Sequence, residues 1–158
     1  MKHIFTLFSA MLFASIMLGQ APPNDLCANA IDIDEIFSAD VGTQLSTGPF
    51  SNLNATGEPD LAADLVGSWF DPLDGETVPS VDQSVWFRFT GNGKTYQLMT
   101  FSGPDAAMYA NDTQAALYSG TCEDLSFVTA NDDLNGLWNG NFGWYYSVLN
   151  FTTEVGVD

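Results

Sequence analysis

The chain has little positive charge. Three Lys and Arg side chains and one histidine stand against 20 Asp and Glu, which gives a formal net charge of −17. The cations are Lys2, Arg88 and Lys94, and the histidine is His3. Nucleic-acid binding needs a basic patch, so these few cations exclude it. An anionic membrane surface would also repel a chain of this charge.

Histidine is absent after residue 3. The Ser-His-Asp and Cys-His nucleophile systems need an imidazole base, and many zinc and iron sites need an imidazole ligand. Two cysteines, Cys27 and Cys122, are present, and the sequence leaves open whether they pair with each other or have lost their partners. The classes that remain are a binding or structural module and an enzyme that works with carboxylates alone.

The N-terminus predicts export. Residues 1–3 form a short positive start, residues 4–19 are apolar except for three hydroxyl side chains, and residues 20–23 end the run. This order is typical of a signal peptide, and the run is short for a membrane span of about 20 residues. We assign residues 1–20 to the signal peptide and residues 21–158 to one secreted domain, with no membrane contact after cleavage. The mature chain keeps 20 acids and two cations, a net charge of −18.

The mature sequence favours an all-β fold, because turn residues and aromatic side chains are frequent and no long stretch shows a helical period. Residues 38–81 lack strand patterning and predict a long irregular excursion. The predicted strands are residues 28–37, 84–90, 95–101, 114–118, 125–130 and 144–151.

The segment of residues 84–90 has the clearest alternation. Val85, Phe87 and Phe89 are expected on one face, and Trp86 and Arg88 on the other. The Gly-Asn-Gly sequence of residues 91–93 predicts a hairpin that joins this strand to the next one. Arg88 is interpreted as one half of a structural ion pair or as a stack on an aromatic ring, and Trp86 as packing.

Four segments together resemble a known family. They are PNDLCANAI at residues 23–31, SVWFRFTGNG at 84–93, DTQAALYSGTC at 112–122 and VTANDD at 128–133. As a set they resemble the N-terminal β-sandwich module of secreted Bacteroidetes proteins, including type IX secretion cargo, which is similar to bacterial pre-peptidase C-terminal domains.

The resemblance implies a jelly-roll-like antiparallel β-sandwich that is non-catalytic and stands beside peptidases or adhesins. It also implies a further strand beyond Asp158, so that the sandwich lacks its last strand here and the partners are further domains of the same polypeptide. In the family a cysteine usually stands where Ala130 stands and pairs with the cysteine at position 122. That local bridge is impossible here, and the usual partner of Cys27 is expected beyond Asp158.

A turn rich in oxygen ligands is the candidate metal site. Asn131, Asp132 and Asp133 follow a predicted strand, and Asp105, Asn111 and Asp112 are expected to join them across the loops. Ca²⁺ takes six to eight oxygen ligands, so this set suits Ca²⁺, and no other cofactor is expected. The alternative is a structural turn, because Asn and Asp cap their own backbone.

Two further hypotheses remain open. Trp69 and Trp138 lie in loops rich in Gly, Asp and Asn, where exposed rings would suit a polysaccharide or a cell-surface glycan; the alternative is core packing. Four acids flank Trp69 or follow it, and paired carboxylates hydrolyse glycosides, although 20 acids make such pairs by chance. The four are Asp71, Asp74, Glu76 and Asp82. We expect a non-catalytic module with an accessory, spacing or adhesion role.

Overall fold

The computed structural model describes residues 19–40, 42–66, 81–101, 113–132, 137–138, 141–142 and 146–156. Within these ranges strands dominate over helices, and most of the strand pairs are antiparallel. The predicted all-β class is confirmed at the level of a β-rich fold. The predicted signal peptide falls almost wholly on residues 1–18, which lie outside the described residues.

The elements are short. The helical ones are two 3-10 helices, Cys27–Asn29 and Pro59–Leu65, and the one-turn helix α1, Asp34–Phe37. The strands, in chain order, are β1 (Ile31–Asp32), β2 (Phe87–Arg88), β3 (Thr95–Met99), β4 (Ala115–Thr121), β5 (Asp124–Asn131), β6 (Leu137–Trp138), β7 (Asn141–Phe142) and β8 (Val148–Thr152).

The described strands pair two by two. Strand β1 pairs with β2 in parallel, and β3 pairs with β8, β4 with β5 and β6 with β7 in antiparallel fashion. The β3–β8 register runs from Thr95 opposite Thr152 to Met99 opposite Val148. Strands β4 and β5 form a hairpin that turns at Cys122 and Glu123. Among the described strands, β3 and β8 are the pair that is not consecutive in chain order.

The prediction of one strand over residues 28–37 is wrong. That stretch contains part of a 3-10 helix, the two-residue strand β1 and helix α1. Asp32 Oδ1 accepts the N–H of Asp34 at 3.0 Å, and this turn redirects the backbone into α1. The alternation of apolar and acidic residues therefore reflects a turn and a helical face as much as a strand.

The predicted hairpin across residues 91–93 is also wrong, because β2 pairs with β1 and β3 pairs with β8. The turn instead packs against the chain that follows β8. The N–H groups of Asn92 and Gly93 both donate to Thr153 Oγ1, at 3.1 and 3.0 Å. Gly93 has φ +79°, a conformation that suits glycine, so the predicted turn occurs. The strands on either side of it, β2 and β3, pair with other strands and not with each other.

Four of the predicted strands occur in the expected segments, as β3, β4, β5 and β8. Of the predicted strand of residues 84–90, the structure forms only the two residues of β2. The side chains of Phe87, Arg88 and Phe89 nevertheless lie on the faces that the alternation predicts. Phe87 and Phe89 pack against the core, whereas Arg88 is exposed. Within the described part of residues 38–81, the 3-10 helix Pro59–Leu65 is the regular element and the rest is irregular, as predicted.

The core lies between α1, β2 and the β3–β8 pair. Its buried residues are Ile33, Phe37, Leu149 and Phe151, and half-buried side chains of β3 and β4 pack around them. Phe37 stacks on Phe89 with ring centroids 3.8 Å apart and meets Tyr96 edge-on at 4.8 Å. This aromatic contact fixes α1 against the strands.

Candidate functional site

The two cysteines meet across the fold. Cys27 lies in the first 3-10 helix, Cys122 lies at the turn of the β4–β5 hairpin, and the two form a disulfide with Cα atoms 5.7 Å apart. The partner of Cys27 in this structure is therefore Cys122, not a residue beyond Asp158. The bridge joins positions 95 residues apart, and the sequence left this pairing open.

The candidate Ca²⁺ site is described only in part. Asp105, Asn111, Asp112 and Asp133 lie outside the described residues. Asn131 Oδ1 accepts the N–H of Val148 at 2.8 Å, so this amide joins the end of β5 to the start of β8.

Asp132 has bonds of the same structural kind. Its Oδ2 accepts Gln114 Nε2 at 3.3 Å, and its backbone oxygen accepts the hydroxyl of Ser147 at 2.7 Å. The described residues contain no group of three or more His, Cys, Asp or Glu side chains placed to hold a metal. The structure thus brings Asn131 and Asp132 together at the strand ends and leaves the other four predicted ligands undescribed.

The predicted glycan-binding tryptophans fall largely outside the described residues. Trp69 lies outside them, and for Trp138 only the backbone, in β6, is described. Trp86 is half-buried: its Nε1 donates to Glu58 Oε1 at 3.1 Å, and its ring lies 6.3 Å from that of Tyr118. Trp86 therefore packs between β4 and the segment around the second 3-10 helix.

Several described carboxylates bind backbone groups of distant segments. Asp34 Oδ1 accepts the N–H of Thr90 at 2.6 Å, and Asp25 Oδ1 accepts the N–H of Thr56 at 2.5 Å. Of the four acids considered for glycoside hydrolysis, Asp82 is exposed and the other three lie outside the described residues. They are Asp71, Asp74 and Glu76.

The interpretation of Arg88 as half of an ion pair is confirmed. Its Nη2 lies 3.2 Å from Asp32 Oδ2, and the two side chains are 61% and 53% exposed. Exposed pairs of this kind are worth at most about 1 kcal/mol, so this one adds little to the β1–β2 pairing.

An open groove runs between the N-terminal segment and an exposed loop. The segment contributes Pro22 and Pro23, the loop contributes Phe50 and Leu53, and Ile31 lines the space between them; the cavity volume is about 590 Å³. All of its lining side chains are uncharged, in a chain that carries 20 acids. The lining begins at Gln20 and Ala21, so the predicted cleavage near residues 19–21 would place the new N-terminal ammonium group beside this groove. The groove was not predictable from the sequence, because the loop has no strand or helix pattern to place it.

Tyr118 is the described residue with a perturbed acid–base property. Its hydroxyl is buried and has no hydrogen-bond partner within the described part of the chain. Burial, and then the nearby charge of Asp64, raise the pKa of Tyr118 to about 12. The phenol therefore stays neutral at physiological pH, and its position in the strand pattern gave no signal of this.

No protein-family model matches the chain, and neither a curated protein nor a solved structure matches it significantly. No helix in the described ranges combines the length and the apolar character that crossing a bilayer requires.

Proposed function

We propose that the chain is a non-catalytic, extracellular β-sandwich module of a larger secreted or cell-surface protein. Its role is accessory: it spaces, stabilises or attaches the domains of the same polypeptide. The observation that carries the proposal is the Cys27–Cys122 disulfide. Disulfides persist in oxidising compartments outside the cytosol, which agrees with the signal peptide predicted at residues 1–20.

The use of the carboxylates supports a structural role. Asp25, Asp34 and Glu58 each bind a group on a distant segment, at Thr56, Thr90 and Trp86 respectively. A catalytic carboxylate pair needs oxygens that face a substrate. These three oxygens instead accept hydrogen bonds that hold the loops and strands together.

The proposed sandwich arrangement agrees with the position of the core. Side chains from the β3–β8 pair and from β4 pack on the same buried cluster, as the inner faces of two sheets do. The resemblance to the secreted Bacteroidetes modules supplies the jelly-roll connectivity of the proposal.

Export is the part of the proposal that is tested first. The full chain, expressed in a bacterial host with its own leader, is expected in the periplasm with its N-terminus cut near residues 19–21. Mass spectrometry identifies the new N-terminal residue. If the disulfide is formed, neither cysteine is alkylated until a reductant is added. The control is Phe13→Arg, which interrupts the apolar run and should keep the chain uncut. A wild-type chain that stays uncut in the cytosol would contradict the proposal.

A Ca²⁺ ion at the Asn131–Asp133 turn is a further part of the proposal. Its support is that the structure places Asn131 and Asp132 at one end of the β4–β5 hairpin. If Ca²⁺ binds there, EDTA should lower the Tm and added Ca²⁺ should restore it. In Asp132→Ala that difference should vanish. An unchanged melt on EDTA removes Ca²⁺ from the proposal.

Glycan binding is the second candidate function. The groove at Phe50 favours it, because a partly exposed aromatic ring beside the amide side chain of Asn54 suits a neutral sugar. Phe50 is 43% exposed. If Trp69, Trp138 and Phe50 bind polysaccharide, each change to Ala should weaken retention on insoluble polysaccharide. The Phe50 ring also meets that of Phe87 at 4.6 Å, so retention is compared at a temperature at which each variant is folded. A parent protein that is not retained rules this function out.

A further inference from the structure

The β4–β5 hairpin changes character at a bulge. Leu117 lies opposite Thr129 and Tyr118 lies opposite Phe127, so Val128 has no residue opposite it. We call residues 115–117 with 129–131 the hairpin base and residues 118–128 the hairpin tip. Bulges interrupt the ladder and bend the strand that carries them, so this bulge is a natural hinge between base and tip.

The hairpin base is anchored to the rest of the fold. Ala115 and Leu117 pack against the core cluster. The hydroxyl of Ser147 donates to the backbone oxygens of Thr113 and Asp132, which flank the open end of the hairpin. Core packing and hydrogen bonds to the start of β8 therefore hold the base independently of the disulfide.

The hairpin tip buries much less surface. Residues 120–124 are exposed, and Phe127 and Val128 are 38% and 45% exposed. Tyr118 meets the ring of Trp86, and Cys122 is bonded to Cys27. A two-stranded hairpin is marginally stable by itself in water. The tip therefore depends on its attachments more than the base does.

The charge of the hairpin tip adds to this dependence. Glu123 and Asp124 stand at the turn, in a chain of net charge −17. Acidic side chains on the rest of the molecule repel them, and this repulsion favours an open tip once the covalent bond is gone.

We propose that the Cys27–Cys122 disulfide is a reducible latch that keeps the hairpin tip closed. A dithiol reductant attacks the exposed end at Cys122 through one thiolate, and its second thiol resolves the mixed disulfide. The protein gains two electrons and two protons as the thiols of Cys27 and Cys122, and the reductant becomes a disulfide. The tip then opens at the bulge and exposes the rings of Tyr118 and Phe127, while the base stays folded. This device goes beyond the proposed function, which needs only the closed bridge.

Hydrogen exchange read by mass spectrometry tests the latch on the whole chain. The protein is compared before and after dithiothreitol at neutral pH and 25 °C, with the freed thiols alkylated. Peptides from residues 118–128 should exchange about 10-fold faster after reduction, whereas β3 and β8 should still exchange more slowly than the tip, because local opening leaves other units protected. Unchanged exchange in the tip overturns the proposal. A single common exchange rate for the tip, β3 and β8 after reduction overturns it as well, since the chain would then open as a whole and not at the bulge.

The matched control removes the bond without a reductant. The double variant Cys27→Ser with Cys122→Ser should show fast hydrogen exchange in the tip and retained protection in β3 and β8. Dithiothreitol should leave the exchange of this variant unchanged. A further response of this variant to dithiothreitol would mean that the reductant acts elsewhere, which contradicts the latch. If the variant exchanges at one common rate in the tip, β3 and β8, the opening is global and the latch is again contradicted.

Discussion

At the residue scale, acidic side chains act as acceptors that join segments far apart in sequence. Asp34 accepts both the N–H and the hydroxyl of Thr90, and Asp25 does the same for Thr56. An Asp beside a Thr from another segment satisfies two donors at once. Part of the strong negative charge of the chain therefore has a structural use.

Replacing Asp34 tests this use. Asp34→Ala should lower the free energy of unfolding by about 1.5 kcal/mol, because the hydrogen bond to a charged acceptor is lost. Glu35→Ala is the matched control: Glu35 is exposed in the same first turn of α1, so it reports the helix-end charge alone. Urea unfolding measures both. Equal losses in the two variants would mean that the bond to Thr90 contributes nothing.

Tyr118→Phe should not destabilise the protein, in contrast to Asp34→Ala. The buried hydroxyl has no partner in the described part of the molecule, so its removal should leave the Tm unchanged or raise it. A Tm that falls by several degrees would show that the hydroxyl is bonded.

The raised pKa of Tyr118 predicts a pH dependence. Its folded-state pKa of about 12 lies above the ordinary tyrosine value of 10.0, so the fold favours the neutral phenol. The stabilisation is complete below pH 10 and is lost as the pH rises through 12. Urea midpoints at pH 9 and pH 11 should therefore fall more in the wild type than in Tyr118→Phe. Parallel falls would contradict the assignment.

Residue roles were predictable where they depend on neighbours in the strand pattern. The facing of Phe87, Phe89 and Arg88 follows from alternation, and the structure confirms it. The partners of Asp34 and Trp86 were not predictable, because they lie 56 and 28 positions away. A sequence pattern of short period carries no information about such distances.

At the element scale, Ser147 joins the β3–β8 pair to the hairpin. It is 1% exposed, and its N–H donates to Thr100 Oγ1 at 2.9 Å. Its hydroxyl donates to the carbonyl oxygens of Thr113 and Asp132. Through its backbone and its hydroxyl, this one residue thus contacts the end of β3 and the two strand ends at the base of the hairpin, just before β8 begins.

Ser147→Ala should destabilise the protein by about 1–3 kcal/mol, because the half-buried residues Thr113 and Asp132 lose the hydroxyl that donates to their carbonyl groups. Ser126→Ala is the control, since Ser126 is an exposed serine of β5 and its loss should change stability by less than about 0.5 kcal/mol. Thermal and urea unfolding give both values. A loss at Ser147 no larger than that at Ser126 would contradict its joining role.

Strand positions were predicted better than strand partners. The segments of β3, β4, β5 and β8 follow from composition and turn residues, and they were found where expected. The Gly-Asn-Gly turn was predicted to join β2 and β3, yet backbone bonds from Ile31 and Ile33 to β2 and its neighbour Trp86 take precedence. The prediction of one strand over residues 28–37 was wrong because the Asp32 side chain caps a turn that leads into α1.

At the scale of the whole molecule, the disulfide restricts the unfolded chain. The bridge spans 95 residues, and the chain-entropy estimate for a loop of this size is about 4.7 kcal/mol. Cys27→Ser with Cys122→Ser should therefore lower the urea midpoint strongly. The reduced and alkylated wild type should show the same loss. A midpoint within error of the oxidised protein would mean that the bridge does not restrict the unfolded state.

The candidate site was less predictable than the fold class. Composition alone excluded basic and histidine-dependent functions, and it favoured the β-rich fold. The cysteine pairing stayed open in the sequence, because two cysteines 95 residues apart give no local signal of their distance. The groove at Phe50 was missed for the same reason: its two walls come from segments that no periodic pattern relates.

The pairing of distant strands also sets the order in which the chain can fold during synthesis. Asp32 precedes its partner Arg88 by 56 residues, and Thr95 precedes Thr152 by 57. At about 5–20 residues per second, each early strand waits for about 3–11 s before its partner exists. Chains with such non-local contacts fold slowly. During that interval the edges of β1 and β3 are unpaired and aggregation-prone, so a chaperone has the most to protect before residue 152 has been made.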